Sequence, residues 1–327
     1  MQIAREDWPE LVTPPPWVVA ASASPNAGVQ TEPSHFFKSD ATGLRIHYRT
    51  CAPPSSACQH AVILFHGLND HCNKLQYTTL MSNLASALNA NVFAADMIGH
   101  GLSEASAPKL ISNWKSLVDD ATQFIYRVVP SEKSATFQFV SHSTGGAICL
   151  HLLAAMAPEE KVRFRGCYML APLVLAPPVP APTKFVLSAL LALAPCIFTT
   201  TTALTPPRKT DSEPWVVFPS PSVHQNEAVK DPLQWQGRFP LRTGKTMIDF
   251  ATATAKLVET HIFDVNIKVV HGTTDGLVSI EGSRRLSKQP HAEIWELEGE
   301  KHLPLVGNHG EAVSADIVEW LRKVSQR

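Results

Sequence analysis

FVSHSTGG, residues 139–146, is the stretch that decides the fold. Apolar residues typical of a buried strand lead into Ser143, and two glycines at the start of a helical pattern follow it. The spacing matches the nucleophile-elbow pattern G-x-S-x-G, in which a strand turns sharply into a helix and presents the serine at the tip. The first glycine of the pattern is missing, because Ser141 stands there. Ser143 is therefore either a nucleophile or an ordinary serine that caps the following helix.

Strand and helix patterns alternate on both sides of this turn. Short apolar runs bounded by turn residues predict strands, and the segments with helical spacing between them predict helices. The predicted strands lie at 44–49, 61–67, 91–96, 135–141, 164–170, 266–272 and 292–299. This alternation is typical of an α/β domain in which helices cover both faces of a mostly parallel central sheet.

One segment without regular periodicity precedes the alternating strands and helices, and a second segment interrupts them. Residues 1–34 contain six prolines and no sustained periodicity, so we expect an irregular N-terminal arm ahead of an α/β domain at 35–327. Residues 172–222 hold 11 of the 26 prolines and include an apolar run at 185–198. This composition predicts a Pro-rich, partly helical cap inserted at about 172–240.

Composition limits the classes of function and the compartment. The 327 residues carry a formal net charge of −1, which gives no electrostatic case for binding nucleic acid. The six cysteines are scattered without a CxxC motif, which favours free thiols in a reducing compartment. No apolar signal segment opens the chain, and no run reaches the ~20 apolar residues of a membrane span. We therefore expect a cytoplasmic protein.

Two later loops supply an acid and a base for Ser143. HGTTDGLV places Asp275 just past the carboxyl end of a predicted strand, and EGEKHLPL places His302 before the last helix. The chain order Ser, Asp, His is the order that accompanies a nucleophile elbow. Taken alone, Asp275 is better explained by an ordinary Asp-Gly turn.

Two other histidines compete with His302 for the role of base. His291 precedes its strand and so lies at the wrong end of the sheet, and His309 falls at the start of the last helix. His302 is therefore preferred. No HExxH motif and no glycine-rich dinucleotide fingerprint occurs, so we expect chemistry without a metal or cofactor.

The sequence HGLNDH at 66–71 follows a buried strand and is the candidate oxyanion loop. Gly67 allows the chain to fold back over the sheet edge, so that the backbone N–H of Leu68 points toward Ser143. With the N–H of Thr144 it would stabilise an oxyanion. The alternative is a simple strand-to-loop turn at Gly67.

Together these motifs resemble the α/β-hydrolase superfamily and, within it, the monoglyceride-lipase family of lysophospholipase-like, serine-aminopeptidase type. The resemblance runs from about residue 44 to 325 and is most specific at HGLNDH, at DMIGHGLS (96–103) and at SHSTGG (141–146). It implies a Ser143–His302–Asp275 triad, with Leu68 and Thr144 as oxyanion donors. It also implies bracing roles for His100 and Ser103 in the loop at 96–103.

The resemblance also implies a lipid ester as substrate, either monoacylglycerol or lysophospholipid, with an acyl chain admitted under the cap. Within the cap, Phe185, Leu190 and Leu193 are expected to contact that chain. Asp70 stands where relatives more often have Glu, and Leu305 where some have a second His that serves the polar head of the substrate. We expect both residues to lie near the head group of the bound substrate. A peripheral contact of the cap with a membrane or lipid droplet stays open.

Two alternative functions are consistent with the same motifs. One is an esterase of small soluble or aromatic esters that uses the same triad. The other is a slow-turnover binding protein that retains the hydrolase fold. Dehalogenase and epoxide-hydrolase chemistry is disfavoured, because those relatives need Asp where Ser143 stands.

Overall fold

The computed structural model describes residues 35–53, 60–106, 109–129, 135–176, 188–189, 231, 233–234 and 239–326. The expected arm at 1–34 and nearly all of the expected cap at 172–240 lie outside these residues. Phe185, Leu190 and Leu193 lie outside them as well, so their expected contacts with an acyl chain stay predictions.

The regular elements follow the predicted alternation closely. The strands are β1 (His35–Lys38), β2 (Arg45–Cys51), β3 (His60–Phe65), β4 (Asn91–Ala95), β5 (Thr136–His142), β6 (Phe164–Leu170), β7 (Ile267–Gly272) and β8 (Ala292–Leu297). The helices are α1 (Leu75–Leu88), α2 (Trp114–Val128), α3 (Thr144–Ala155), α4 (Pro158–Lys161), α5 (Leu241–Thr260), α6 (Ile280–Leu286) and α7 (Gly310–Ser325).

These strands form one eight-stranded sheet in the order β1-β2-β4-β3-β5-β6-β7-β8. Strands β3 to β8 run parallel, and β1 and β2 form an antiparallel edge. The prediction of an α/β fold with a mostly parallel sheet is confirmed. The sequence did not predict β1, which is only four residues long and gains its structure from pairing with β2 and from burial of Phe37.

A hydrophobic core lies on each face of the sheet. One core joins inward residues of the strands to α2, α3 and α5, with Phe124, Ile148 and Phe250 among its members. The other joins the sheet to α1 and α7 through residues such as Leu84 and Trp320. Helices on both faces leave the carboxyl ends of the parallel strands as the edge where a site can form.

Three local features bear on earlier expectations. The helix that follows Ser143 begins at Thr144, so its N-terminus lies directly behind the serine. Cys51, Cys72, Cys149 and Cys167 are free thiols, as expected for these four positions. Among the described residues, no helix combines the length and the apolar character that a membrane crossing requires.

The side chain of Asp120 connects α2 to the antiparallel edge of the sheet. It is a buried carboxyl on α2 that accepts a hydrogen bond from the Ser39 hydroxyl at the end of β1. Burial raises the pKa of Asp120 to about 6 in spite of that bond, and the nearby charges of Asp119 and Asp40 act in the same direction. The folded state thus binds this proton more tightly than the unfolded chain does.

We predict that the free energy of unfolding falls as pH rises from about 4 to about 6, because Asp120 must then ionise in a buried site. Asp120→Asn should remove this fall, and should stabilise the protein at pH 8 by at most about 3 kcal/mol while changing little at pH 4. Urea unfolding at both pH values measures this. Asp249→Asn, at an exposed position on α5, is the control. Equal effects of Asp120→Asn at the two pH values would contradict the assignment.

Candidate active site

Ser143 occupies a strained turn between β5 and α3. Its backbone has φ 52° and ψ −115°, a conformation that residues with a side chain rarely adopt. The turn is held by hydrogen bonds from the Ser143 amide to the carbonyl of Leu170 and from the amides of Gly146 and Leu173 to the carbonyl of Ser143, each 2.9 Å long. This is the geometry that the nucleophile-elbow pattern predicts for residue 143.

Two glycines allow the chain segments around this turn to approach closely. A Cβ on Gly145 would collide with the carbonyl oxygen of Phe65 at the end of β3. A Cβ on Gly67 would lie 3.1 Å from the Cβ of Ser143. The register of the sheet, which pairs Phe65 with Ser141, brings these segments side by side. The loop after β3 therefore lies directly against the serine.

Ser141, the departure from the elbow pattern, fits into this arrangement. It is buried in β5, and its Oγ would lie 3.7 Å from a Cβ added to Gly146. That separation is an ordinary van der Waals contact, so the extra hydroxyl does not block the start of α3.

Ser143, His302 and Asp275 form a continuous hydrogen-bonded chain. Nε2 of His302 lies 2.9 Å from Oγ of Ser143, and its Nδ1 lies 2.6 Å from Oδ2 of Asp275. Both residues of the first pair are buried, with 7% of the surface of Ser143 and 5% of that of His302 exposed to solvent. The three side chains come from the ends of β5, β8 and β7, the edge at which sites of parallel sheets assemble.

Asp275 is held as an anion. Its Oδ1 accepts hydrogen bonds from the backbone amides of Leu277 at 2.8 Å and Val278 at 3.0 Å. Burial alone would raise the pKa of Asp275, but interactions with His271 and His302 outweigh it and hold the pKa well below its usual range. An ionised carboxylate next to Nδ1 fixes the ring orientation of His302 and favours a proton on Nδ1.

The two rival histidines lie elsewhere. His291 is paired at 3.1 Å with the exposed Asp264. Nδ1 of His309 lies 3.0 Å from Oε1 of the buried Glu300. Of the three candidate bases, His302 is the one that the structure brings to Ser143.

His142 supports His302 from the side of β5. Its Nε2 lies 3.0 Å from the carbonyl oxygen of His302, and the centroids of the two rings are 4.9 Å apart. Burial and, next, the charge of His302 lower the pKa of His142 to about 4, so the ring is neutral at pH 7 and donates one hydrogen bond to that carbonyl. The sequence pattern gave no signal for this contact beyond the position next to Ser143.

Asp70 lies behind His142 in a network of protein groups. One carboxylate oxygen accepts a hydrogen bond from the Tyr77 hydroxyl at 2.6 Å, and the other lies 2.7 Å from the ammonium of Lys74. Burial would raise the pKa of Asp70, but the charge of Lys74 and of nearby histidines holds it well below its usual range. These contacts direct Asp70 into the protein, and its expected contact with a substrate stays a prediction.

Leu305 lies in the loop between His302 and α7. It packs against the core that contains Trp320 and lines a surface groove between α1 and α7, together with Leu75 and Val318. It also lines a small cavity together with His142 and Tyr77. Its expected position at the head-group end of a substrate stays a prediction.

The amides of Leu68 and Thr144 are both placed beside Ser143. Thr144 is the first residue of α3, where backbone N–H groups have no partner within the helix. Leu68 follows Gly67, which approaches Ser143 from β3. Neither amide has an acceptor among the residues that the structure describes. Two unpaired donors at one edge are a suitable place for a negatively charged oxygen.

The loop at 96–103 is anchored beneath this edge. Oδ1 of Asp96 accepts the amide of Cys72 at 2.7 Å, and its Oδ2 accepts the amide of Leu102 at 3.0 Å. Nδ1 of His47 lies 2.8 Å from the same Oδ2. The ligand atoms of His47, Cys72 and Asp96 lie within 4.8 Å of one another, but these hydrogen bonds already occupy the carboxylate. The cluster is therefore a structural anchor.

The expected bracing roles in this loop agree with the hydrogen bonds of Ser103 and His100. The Ser103 hydroxyl donates to the carbonyl of Asp96 at 2.8 Å, and Nδ1 of His100 lies 2.9 Å from the carbonyl of Ile98. Nε2 of His66 accepts the amide of Met97 at 3.0 Å and so ties this loop to the one that carries Leu68.

Comparisons with known proteins agree with this fold. Mouse monoglyceride lipase is 30% identical over 138 residues, which cover 42% of this chain and 43% of the mouse protein. The matched segment thus spans less than half the length of that relative. The monoacylglycerol lipase of Paleococcus ferrophilus has 21% identity and a TM-score of 0.67, covering 85% of this chain and 99% of that one. A soluble variant of monoglyceride lipase from Saccharomyces cerevisiae, solved with a substrate analog, has 20% identity and a TM-score of 0.70, covering 92% and 99%.

The family assignment rests on a longer match. The family model described as serine aminopeptidase, S33, matches residues 56–302, which is well over half of the sequence. The matched range includes the strained turn at Ser143 and the other two members of the hydrogen-bonded chain, Asp275 and His302. The chain therefore belongs to the serine aminopeptidase S33 family and has the α/β-hydrolase fold.

Proposed function

We propose that this protein is a serine hydrolase that cleaves carboxylic esters of lipids, with monoacylglycerol as its substrate. The observation that carries the proposal is the hydrogen-bonded chain Ser143–His302–Asp275, with Ser143 in a strained turn. A serine, a base and an oriented acid at these distances are the arrangement that acyl transfer through a covalent intermediate needs.

In the first half of the reaction, His302 acts as general base toward Ser143. Oγ of Ser143 attacks the ester carbonyl while Nε2 of His302, 2.9 Å away, takes its proton. The imidazolium that forms is stabilised by the Asp275 carboxylate at Nδ1. The same proton then passes to the departing glycerol oxygen, and the acyl group stays on Ser143.

In the second half, water replaces the alcohol. His302 removes a proton from the water, whose oxygen attacks the acyl carbon, and the fatty acid leaves as Ser143 regains its proton. In both halves the amides of Leu68 and Thr144 would stabilise the negative charge on the carbonyl oxygen. Loss of one such donor typically costs ~10²–10³ in rate, so the position of the loop after β3 matters as much as the triad.

The choice of a lipid ester rests on two arguments outside the described residues. The apolar run at 185–198 would supply hydrophobic contacts for an acyl chain. Several relatives with similar sequences or folds are named as lipases of monoglycerides or monoacylglycerols. A cytoplasmic location and a peripheral contact with a membrane or lipid droplet are part of the same proposal.

The first test is removal of the nucleophile. Ser143→Ala should lower kcat/KM toward long-chain monoacylglycerol by at least about 10³-fold, because the covalent step is lost. Release of fatty acid by purified protein measures the effect. Ser141→Gly, which restores the common elbow residue, and Ser112→Ala, at an exposed serine, are controls expected to stay near the wild type. Retained turnover in Ser143→Ala would overturn the proposal.

The second test concerns the class of ester. We expect kcat/KM to be higher for long-chain monoacylglycerol and for lysophospholipid than for a short phenolic ester, because only a long acyl chain gains contacts from an apolar cap. One panel of the three substrates at equal pH measures this order. A preference for the phenolic ester would show that the triad serves small soluble esters. Labelling of Ser143 without multiple turnover on any ester would indicate a binding protein.

A further inference from the structure

His271 lies directly behind the acid of the site, and the mechanism above gives it no role. It belongs to β7, and its side chain is completely buried. Its Nε2 lies 3.0 Å from Oδ2 of Asp275, the same oxygen that lies 2.6 Å from Nδ1 of His302. Nitrogens of two imidazole rings therefore lie within 3.0 Å of one carboxylate oxygen, and of the two contacts the one with His302 has hydrogen-bond geometry.

Ser283 determines how His271 presents its ring. Nδ1 of His271 lies 2.6 Å from Oγ of Ser283, a fully buried residue of α6. With the ring proton on Nδ1, the lone pair of Nε2 would face the Asp275 carboxylate at 3.0 Å, which is repulsive where water is excluded. The favoured arrangement has the Ser283 hydroxyl donating to Nδ1 and the proton of His271 on Nε2, 3.0 Å from the Asp275 carboxylate.

We propose that His271 is a positioning residue that acts on His302 through Asp275, and that Ser283 selects its tautomer. The inference rests on the proposed function. The Nε2–H of His271 stabilises negative charge on Oδ2 and draws part of it away from His302. Protonated His302 then gains less from the carboxylate than it would from an unshared one, and loss of His271 would remove this effect.

Other titratable groups around this arrangement are already engaged. His142 at the end of β5 faces His302, and Asp70 from the loop after β3 lies 3.9 Å from Nδ1 of His142. On β8, Glu296 is opposite His271 in the sheet register and forms a 2.7 Å ion pair with Arg284 of α6. Glu300, in the loop before His302, is bound to His309. Changing His271 leaves each of these pairs in place.

The test is the pH dependence of kcat/KM with a short monoacylglycerol below its micelle concentration. In His271→Leu, the acid limb of the profile should move to higher pH by roughly 0.5–1 unit, because a polar N–H group close to the carboxylate is lost. His271→Gln should restore the wild-type limb, because an amide N–H replaces the lost donor. Ser283→Ala should move the limb in the same direction as His271→Leu, by less.

A matched control separates this role from a general loss of stability. His60, at the opposite end of the sheet, also holds polar side-chain partners through both ring nitrogens. His60→Leu should lower the Tm without moving the acid limb.

The inference is overturned if the acid limb of the pH profile does not move in His271→Leu. If His271→Leu does not fold, an unmoved limb in Ser283→Ala overturns it instead. Failure of a folded His271→Gln to restore the wild-type limb would also overturn it. The proposed function fails separately, through retained turnover in Ser143→Ala.

Discussion

The close approach of β3 to the turn between β5 and α3 is the constraint on which the site depends. It forces Ser143 into a strained backbone conformation, and it is sterically permitted only because Gly145 has no side chain to meet the carbonyl of Phe65. The same contact brings the loop that carries Leu68 against the serine. The position of the hydroxyl and the position of its amide donors therefore have one common cause.

Electrostatics around the turn are arranged by burial and by paired groups. Asp275 stays ionised because two backbone amides and two histidines face its carboxylate. His142 stays neutral in its buried position and supports the backbone of His302. Preorganised charges of this kind stabilise the charge that develops in a transition state, because they do not have to rearrange when the reaction occurs. The site is thus organised before any substrate arrives.

The juxtaposition of Ser143, Asp275 and His302 could be predicted because the carboxyl ends of parallel strands meet at one edge, so residues just past those ends must lie together. The contacts of His142 and His271 could not. Each is a single histidine within a strand, and its meaning depends on which neighbouring loop reaches it in three dimensions. Likewise β1 has too short a pattern to predict, because pairing with β2 stabilises it.

The most direct measurement of the central claim is covalent labelling of the purified protein by a fluorophosphonate, followed by intact mass and peptide mapping. An activated serine at a hydrogen-bonded triad attacks phosphorus and displaces fluoride. The account predicts one adduct per chain on the peptide that contains Ser143, formed far more slowly in His302→Ala at the same pH. Absence of an adduct, an adduct on another residue, or equal labelling of wild type and His302→Ala would contradict it.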